Sequence, residues 1–267
     1  MTRDDDTGAF GKQFYADTYY ANVPFDENIV ADYRTHWARL GHLFRLPADA
    51  RVLDAGCGLG YWSMELQNHV AHLDAFDIAP AAVEAVRERV PRGRVWVGDV
   101  EHIEAPDAHY DGAFAFEVLE HLADSRTGLR ELRRVLKDGG RLVLLQEYRG
   151  DDYARMIRAA GDLLDRTGLR KRKVARHADR RDLHRSARTP WGWAALLREE
   201  GFTVERRIVL SVIPTLVLPL SRALRRRYFS LPVLTPIDRF LCALPGAAWF
   251  GVGCIFIATK AGKGPAS

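Results

Sequence analysis

Cysteine is scarce in this chain. Cys57, Cys242 and Cys254 make up the whole complement, an odd number with no C-x-x-C pair. That argues against a disulfide framework and against a zinc site. No charged-then-apolar leader opens the sequence; Met1–Thr7 is acidic, so no signal peptide is read and a cytoplasmic protein is expected. No internal repeat or low-complexity linker occurs. Charge is only mildly one-sided, with a net +4 and a pI of about 9.0, which does not demand a nucleic-acid partner. Long apolar runs are missing but for Phe240–Ala258, nineteen residues without a charge. Pro245, Gly246, Gly251 and Gly253 interrupt it, so it reads as a loop entering a buried strand rather than a membrane span. What remains is a hydrophobic share of 47% and a charged share of 28% over 267 residues. These fit one soluble domain with elaborations.

The richest stretch is Val52-Leu53-Asp54-Ala55-Gly56-Cys57-Gly58-Leu59-Gly60. An apolar pair ends in a carboxylate, three glycines follow at alternate positions, and an amphipathic segment begins at Tyr61. That is a strand, a tight turn and a helix whose N-terminus faces whatever binds there. Around it the pattern alternates. Strands are expected at Arg51–Asp54, His72–Asp77, Arg94–Val97, Tyr110–Phe116 and Arg141–Glu147, and helices at Tyr61–Asn68, Ala81–Val90, Val118–Leu122 and Leu129–Leu136. Lys137–Gly140 reads as a turn. Such alternation implies a doubly wound, parallel sheet, and the uninterrupted apolar run Leu142–Leu145 suits a strand covered on both faces. Upstream, Ile29, Tyr33, Trp37, Leu40 and Phe44 recur at helical spacing over Asn28–Leu46. With Phe10, Phe14, Tyr15, Tyr19 and Tyr20 they form either core packing or an aromatic lid over a small-molecule site. Downstream, a helix is expected over Tyr153–Leu164 and another over Trp191–Glu200, closed by Gly201. Strands follow at Phe202–Val212 and Val252–Thr259. Five prolines between 213 and 248 keep any helices there short.

In a doubly wound sheet, ligands sit outside the carboxyl ends of the strands. Asp54, Asp77 and Asp99 fall at three successive strand ends. Asp77 lies 21 positions after Gly56, where a carboxylate can accept hydrogen bonds from a ribose diol. Asp99 is placed to meet an adenine amine. The glycines do not match G-x-G-x-x-G, because Tyr61 stands where the third should, and no G-x-x-x-x-G-K-[ST] occurs. The dinucleotide and P-loop readings therefore fall away.

With those motifs in view, the sequence resembles the class I S-adenosylmethionine-dependent methyltransferases, in the broad group of ubiquinone-pathway and small-molecule O-methyltransferases. The resemblance rests on VLDAGCGLGYWS, LDAFDIAP, GDV at 98–100, FEVLEHL at 116–122 and RVLKDGGRLVL at 134–144. It implies a mostly parallel, seven-stranded Rossmann-like α/β sheet and S-adenosylmethionine as cofactor. By the same resemblance Asp54 would order the loop near the methionine end, and Gly56 and Gly58 would let the backbone approach. Asp77, with Ile78 beside it, would hold the ribose hydroxyls. Asp99 would bind the adenine amine and Val100 pack on the ring, while Phe116 and Glu117 would flank the sulfonium.

Methyl transfer from a sulfonium is an in-line displacement governed by alignment in a dry site. A general base is needed only for a weak nucleophile such as a hydroxyl. His121 is the candidate base, against a structural role in the loop. Glu117, Glu120 and His121 have a spacing that resembles a divalent-metal triplet in some relatives, but no metal is assigned. From Arg166 to Arg188, ten Lys or Arg residues stand against Asp179 and Asp182. A solvated face, a cap that binds an acidic substrate group and contact with nucleic acid or a membrane surface all remain open. The block lacks the interleaved aromatics of a base-stacking platform, which makes nucleic acid the weakest. Arg225-Arg226-Arg227, between apolar runs, favours a membrane surface or a lipid-linked acceptor. The expected organisation is an aromatic lid at 1–48, a cofactor-binding domain at 49–149 and 190–262, and a basic helical cap inserted at 150–189. The expected activity is O-methylation of a small, partly hydrophobic acceptor. N- or C-methylation, or a non-catalytic cofactor-binding role, are the alternatives.

Overall fold

A computed structural model describes residue 25 and residues 27–90, 93–147, 186, 188–210, 234–244, 247 and 253–262. The aromatics at 10–20, the helix expected over Tyr153–Leu164, nearly all of the basic block and Arg225–Arg227 lie outside the described residues. In chain order the elements are α1 (Glu27–Phe44), β1 (Arg51–Ala55), α2 (Tyr61–Leu66), β2 (His72–Asp77), α3 (Pro80–Arg89), β3 (Val95–Val97) and β4 (Tyr110–Phe116). There follow α4 (Ser125–Val135), β5 (Leu136–Glu147), α5 (Pro190–Glu199), β6 (Phe202–Leu210), α6 (Leu234–Ala243) and β7 (Gly253–Lys260).

The strands form one sheet in the order β3-β2-β1-β4-β5-β7-β6. Neighbours from β3 through to β5 pair in parallel, and β7 pairs antiparallel with both β5 and β6. The sheet is thus parallel but for β7, as the mostly parallel expectation has it. β1 and β4 are adjacent but far apart in sequence, and the chain reverses its direction of winding between them. That switch point opens a crevice at the carboxyl ends of the strands.

Alternation along each strand supplies a core on both faces. Leu53, Ala113, Leu142, Leu144 and Phe256 bury against Leu129, Leu132, Trp193 and Leu197 of α4 and α5. Val52, Phe114, Val143 and Ile257 point the other way, into a core with Phe44, Leu66, Val83 and Val86 of α1, α2 and α3. Strands covered on both sides need no polar face, which is why they read as continuous apolar runs.

Several boundaries differ from the sequence expectation for local reasons. α2 ends at Leu66, two residues early, because Asn68 and His69 bond back three residues, to the Glu65 and Leu66 carbonyls, tightening the last turn. α4 starts at Ser125, four residues early. The Asp124 carboxylate caps it by accepting the Arg126 N–H at 2.9 Å. Lys137–Gly140 is a bulge within β5: Tyr110 faces Leu136, but Gly112 faces Arg141.

Candidate functional site

The loop after β1 is stapled to the end of β2. Gly56 and Cys57 donate their N–H groups to the Phe76 carbonyl at 2.8 and 2.9 Å, and Gly58 N–H donates to Asp77 Oδ2 at 2.8 Å. Gly56 and Gly58 have φ of 77° and 52°, a left-handed backbone that glycine adopts without penalty. A Cβ on Gly56 would also collide with a methyl of Val118, the residue two beyond β4. The glycine spacing therefore serves two purposes, turning the chain and admitting the loop that follows β4.

Asp77 is 5% exposed. Its second oxygen accepts the Ala79 N–H at 2.9 Å, so both carboxylate oxygens are held in place. Burial raises its pKa, and the N–H groups of Ala79, Gly58 and Ile78 oppose the rise. Asp54, 2% exposed, accepts a 2.5 Å hydrogen bond from Ser63 Oγ on α2. Burial pushes its carboxyl up to about 6; the Ser63 bond pulls down and the Asp77 charge adds to the rise. Two buried acids side by side make this end of the sheet receptive to positive charge. Ser63 has no signature in the sequence; only the fold brings it to Asp54.

Asp99 lies just past β3, half-buried, and its Oδ1 accepts the Glu101 N–H at 3.0 Å. Val100 is 5% exposed and belongs to the core on the α4 side. Asp54, Asp77 and Asp99 thus stand at the ends of the neighbouring strands β1, β2 and β3.

Beyond β4 the backbone turns sharply. Glu117 has φ of 56°, which costs a non-glycine residue roughly 1 kcal/mol or more and is characteristic of functional turns. Its N–H donates to the Leu145 carbonyl at 3.0 Å. The turn exposes Glu117, buries Glu120 completely and leaves His121 half-buried at the end of a 3-10 turn, Leu119–His121. Glu117, Glu120 and His121 therefore do not converge. Among the described residues no group of three or more His, Cys, Asp or Glu side chains could hold a metal ion.

Aromatic rings continue from Phe116 toward the N-terminal helix. Trp62 meets Phe116 edge-on at 4.7 Å and Tyr33 edge-on at 5.1 Å; Tyr61 stacks on Tyr33 at 5.3 Å and on Phe25 at 4.9 Å. Phe44, at the other end of α1, is fully buried against Phe114. The helix is anchored in the core at its C-terminus and reaches the carboxyl edge of the sheet at its start. Gln146 is a further residue with no sequence signal. It is completely buried near the end of β5, and neither amide atom has a hydrogen-bond partner among the described residues. A charged cleft of about 770 Å³, lined by Arg130, Arg134, Asp138, Glu199, Glu200 and Lys260 among others, lies at the opposite edge. Most of its charges are paired with one another.

A family model described as "Methyltransferase domain" matches residues 53–144. That span runs from the glycine loop to the middle of β5. Residues 53–144 are a class I S-adenosylmethionine-dependent methyltransferase domain. S-adenosylmethionine is the cofactor of that class. Over 144 residues the chain is 31% identical to an S-adenosyl-L-methionine-dependent Diels-Alderase of Talaromyces variabilis, covering 51% of this chain and 48% of the relative. It is 36% identical over 90 residues to a malonyl-[acyl-carrier protein] O-methyltransferase of Serratia marcescens, covering 34% and 35%. The chain thus spans half or less of these relatives. A methyltransferase structure from Methanosarcina mazei superposes with a TM-score of 0.54 at 19% identity, covering 83% of this chain and 97% of that one. The methyltransferase fold extends beyond the matched motifs.

Proposed function

We propose that this chain holds S-adenosylmethionine along the carboxyl ends of β1 to β4 and methylates a hydroxyl of a small, partly hydrophobic acceptor. The observation that carries the reading is Asp77. It is a buried carboxylate, fixed on both oxygens by the glycine loop and by Ala79, at the strand end where a ribose diol would reach it. The donor set fits the rest of the cofactor: a carboxylate pair where a cationic group would lie, and Asp99 with Val100 where an adenine would lie. S-adenosylmethionine supplies an activated methyl group on a sulfonium.

The chain's own residues do the positioning. Asp54 and the Gly56–Gly58 backbone receive the methionine end, and Asp77 with Ile78 receives the ribose. Asp99 accepts from the adenine amine, and Val100 packs against the ring. Phe116 and Glu117 flank the sulfonium, while the aromatic line from Phe116 to Phe25 keeps water from one side. An imidazole nitrogen of His121 takes the proton from the acceptor hydroxyl as the oxygen is methylated.

Titration calorimetry tests the cofactor site: Asp77→Ala should weaken S-adenosylmethionine about 100-fold, the scale of losing hydrogen bonds to a buried charge. Absence of any affinity in the wild type would overturn the whole reading. His121→Ala should lower kcat by about 10²–10⁴ with cofactor affinity kept; full activity would remove the base. A second reading draws on the Diels-Alderase relative, which aligns over a longer stretch than the O-methyltransferase. In it the cofactor is held without giving up its methyl group. Formation of S-adenosylhomocysteine separates the two.

A further inference from the structure

The charged cleft of about 770 Å³ lies at the amino edge of the sheet, away from the candidate site. Of the residues that line it, Ala108 precedes β4, Gly201 precedes β6 and Lys260 closes the antiparallel β7. The helices α4 and α5 bring their last turns to the same place, with Arg130, Arg133 and Arg134 from one and Glu199 from the other. A cleft of this size has room for a small organic molecule.

Its charges cancel pair by pair, with one exception. Arg134 meets Asp107 and, on its own helix, Glu131, each at 2.8 Å. Arg130 meets Glu200 at 2.8 Å, and Lys260 lies 3.5 Å from Asp138. Glu199 is held by Arg126 from outside the cleft. Arg133 is the cation left over. Among the described residues no carboxylate lies within ion-pair distance of it, and its Nε is buried with no hydrogen-bond partner. Its guanidinium rests against Gly201, where a Cβ would stand 2.6 Å from Nε. A cation in the last turn of α4 suits the helix dipole, and that accounts for the positive charge. It does not account for a half-buried guanidinium, with five N–H groups that call for acceptors, turned to a cleft where the carboxylates are already taken.

We propose that this cleft binds a small organic acid through its carboxylate, with Arg133 as the anchor. Guanidinium and carboxylate match in shape as well as charge and join through paired N–H···O bonds. One uncompensated positive charge calls for one negative charge. A dianion such as phosphate would carry a second charge into the company of Asp107, Asp138 and Glu199, whose side chains are 79%, 58% and 55% exposed. The site shares no residue with the cofactor edge: Asp54 and Asp77 stand at the carboxyl ends of their strands and Arg133 at the other edge of the sheet. It is a second ligand site, and it does not rest on the methyl-transfer reading.

Thermal melts of the full chain without S-adenosylmethionine test this, with acetate as the probe for the carboxylate. Sodium acetate at about 50 mM should raise Tm by about 2–4 °C over the same concentration of chloride, the shift that a Kd of about 10 mM gives. Arg133→Gln should remove that difference. Arg133→Lys keeps the charge at the helix end but loses the paired N–H groups, so it should bind acetate about tenfold more weakly; it also serves if the glutamine variant does not fold. No rise specific to acetate, or the same rise in Arg133→Gln, would overturn the proposal. A lysine variant that binds acetate as well as the wild type would remove the guanidinium as the anchor. A larger rise with inorganic phosphate than with acetate, at about pH 8, would overturn the assignment to a carboxylate.

Discussion

Asp54 is the residue whose environment has the clearest measurable consequence. Its folded pKa, about 6, lies above the ordinary aspartate value near 3.9. Between those values the folded protein keeps a proton that the unfolded chain releases, so stability falls as pH rises from about 4 to about 6, by roughly 3 kcal/mol in all. Asp77 shifts in the same direction and adds to the slope. Urea unfolding of the cofactor-free protein should therefore show a decline across this window, and Asp54→Asn should flatten most of it. A cationic group held beside Asp54 has the opposite preference. S-adenosylmethionine affinity should rise with pH up to about 6 and level off above it, and calorimetry at several pH values checks this. Gln146 makes a different prediction of the same kind. A buried amide without partners costs roughly 1–3 kcal/mol, so Gln146→Met should raise the Tm of the cofactor-free protein. A lower Tm would mean that water or a neighbour already satisfies the amide.

At the scale of elements, the motifs act through contacts between loops rather than one by one. Gly56 leaves the space that Val118 fills, tying the glycine loop after β1 to the turn after β4. Gly56→Ala adds both a Cβ collision and a left-handed backbone for alanine. It should cost about 2 kcal/mol or more of stability and weaken the cofactor as well, which thermal melts and calorimetry report together. α4 and α5 are joined by Glu200, whose carboxylate accepts from Arg126 at 2.7 Å and Arg130 at 2.8 Å. The two guanidiniums hold its pKa below the usual glutamate range, against the effect of burial. That stabilisation is present above the ordinary glutamate value and is lost as pH falls below it, through the depressed folded value. Glu200→Gln should lower Tm by about 2–4 °C at neutral pH, the shift for about 1 kcal/mol at this size, and the difference should shrink as the solution is acidified below the ordinary glutamate range. The sequence made these elements legible where period and punctuation agree: β2 and β4 have the bounds their apolar runs imply, and Gly201 follows the end of α5. What it hid depends on tertiary contact. Ser63 reaching Asp54, Val118 filling the space beside Gly56 and Gln146 buried without a partner among the described residues have no spacing rule behind them. The E-x-x-E-H triplet reads as a metal set only until the Glu117 turn sends its carboxylates to different environments.

Across the whole molecule, the family motifs and the segments that surround them occupy different parts of the chain. The family match ends at residue 144. The N-terminal segment arrives at the carboxyl edge where Phe25 stacks on Tyr61, the stretch after Glu147 departs from the same edge, and residues 211–252 leave and return there. The segment after β5 is secured on its return by Ser186, whose hydroxyl donates to the Leu119 carbonyl at 3.0 Å and lies 2.5 Å from that of Ser125, next to the turn that carries His121. Three segments outside the matched motifs thus begin or end at the carboxyl edge of the sheet. If specificity resides in them, cofactor binding and acceptor turnover are separable. Replacing residues 150–184 by a short Gly/Ser linker, with Ser186 and the Thr189 cap of α5 kept, should leave S-adenosylmethionine affinity within about threefold, because the deletion removes none of Asp54, Asp77 or Asp99 and a flexible closure adds little entropy cost. Turnover of the wild-type acceptor should fall by about 100-fold or more as alignment of the receiving oxygen is lost. Calorimetry on the trimmed protein measures the first quantity and S-adenosylhomocysteine release the second. A joint loss of both would place the insertion in the cofactor site itself and return the basic block to the cofactor rather than the acceptor.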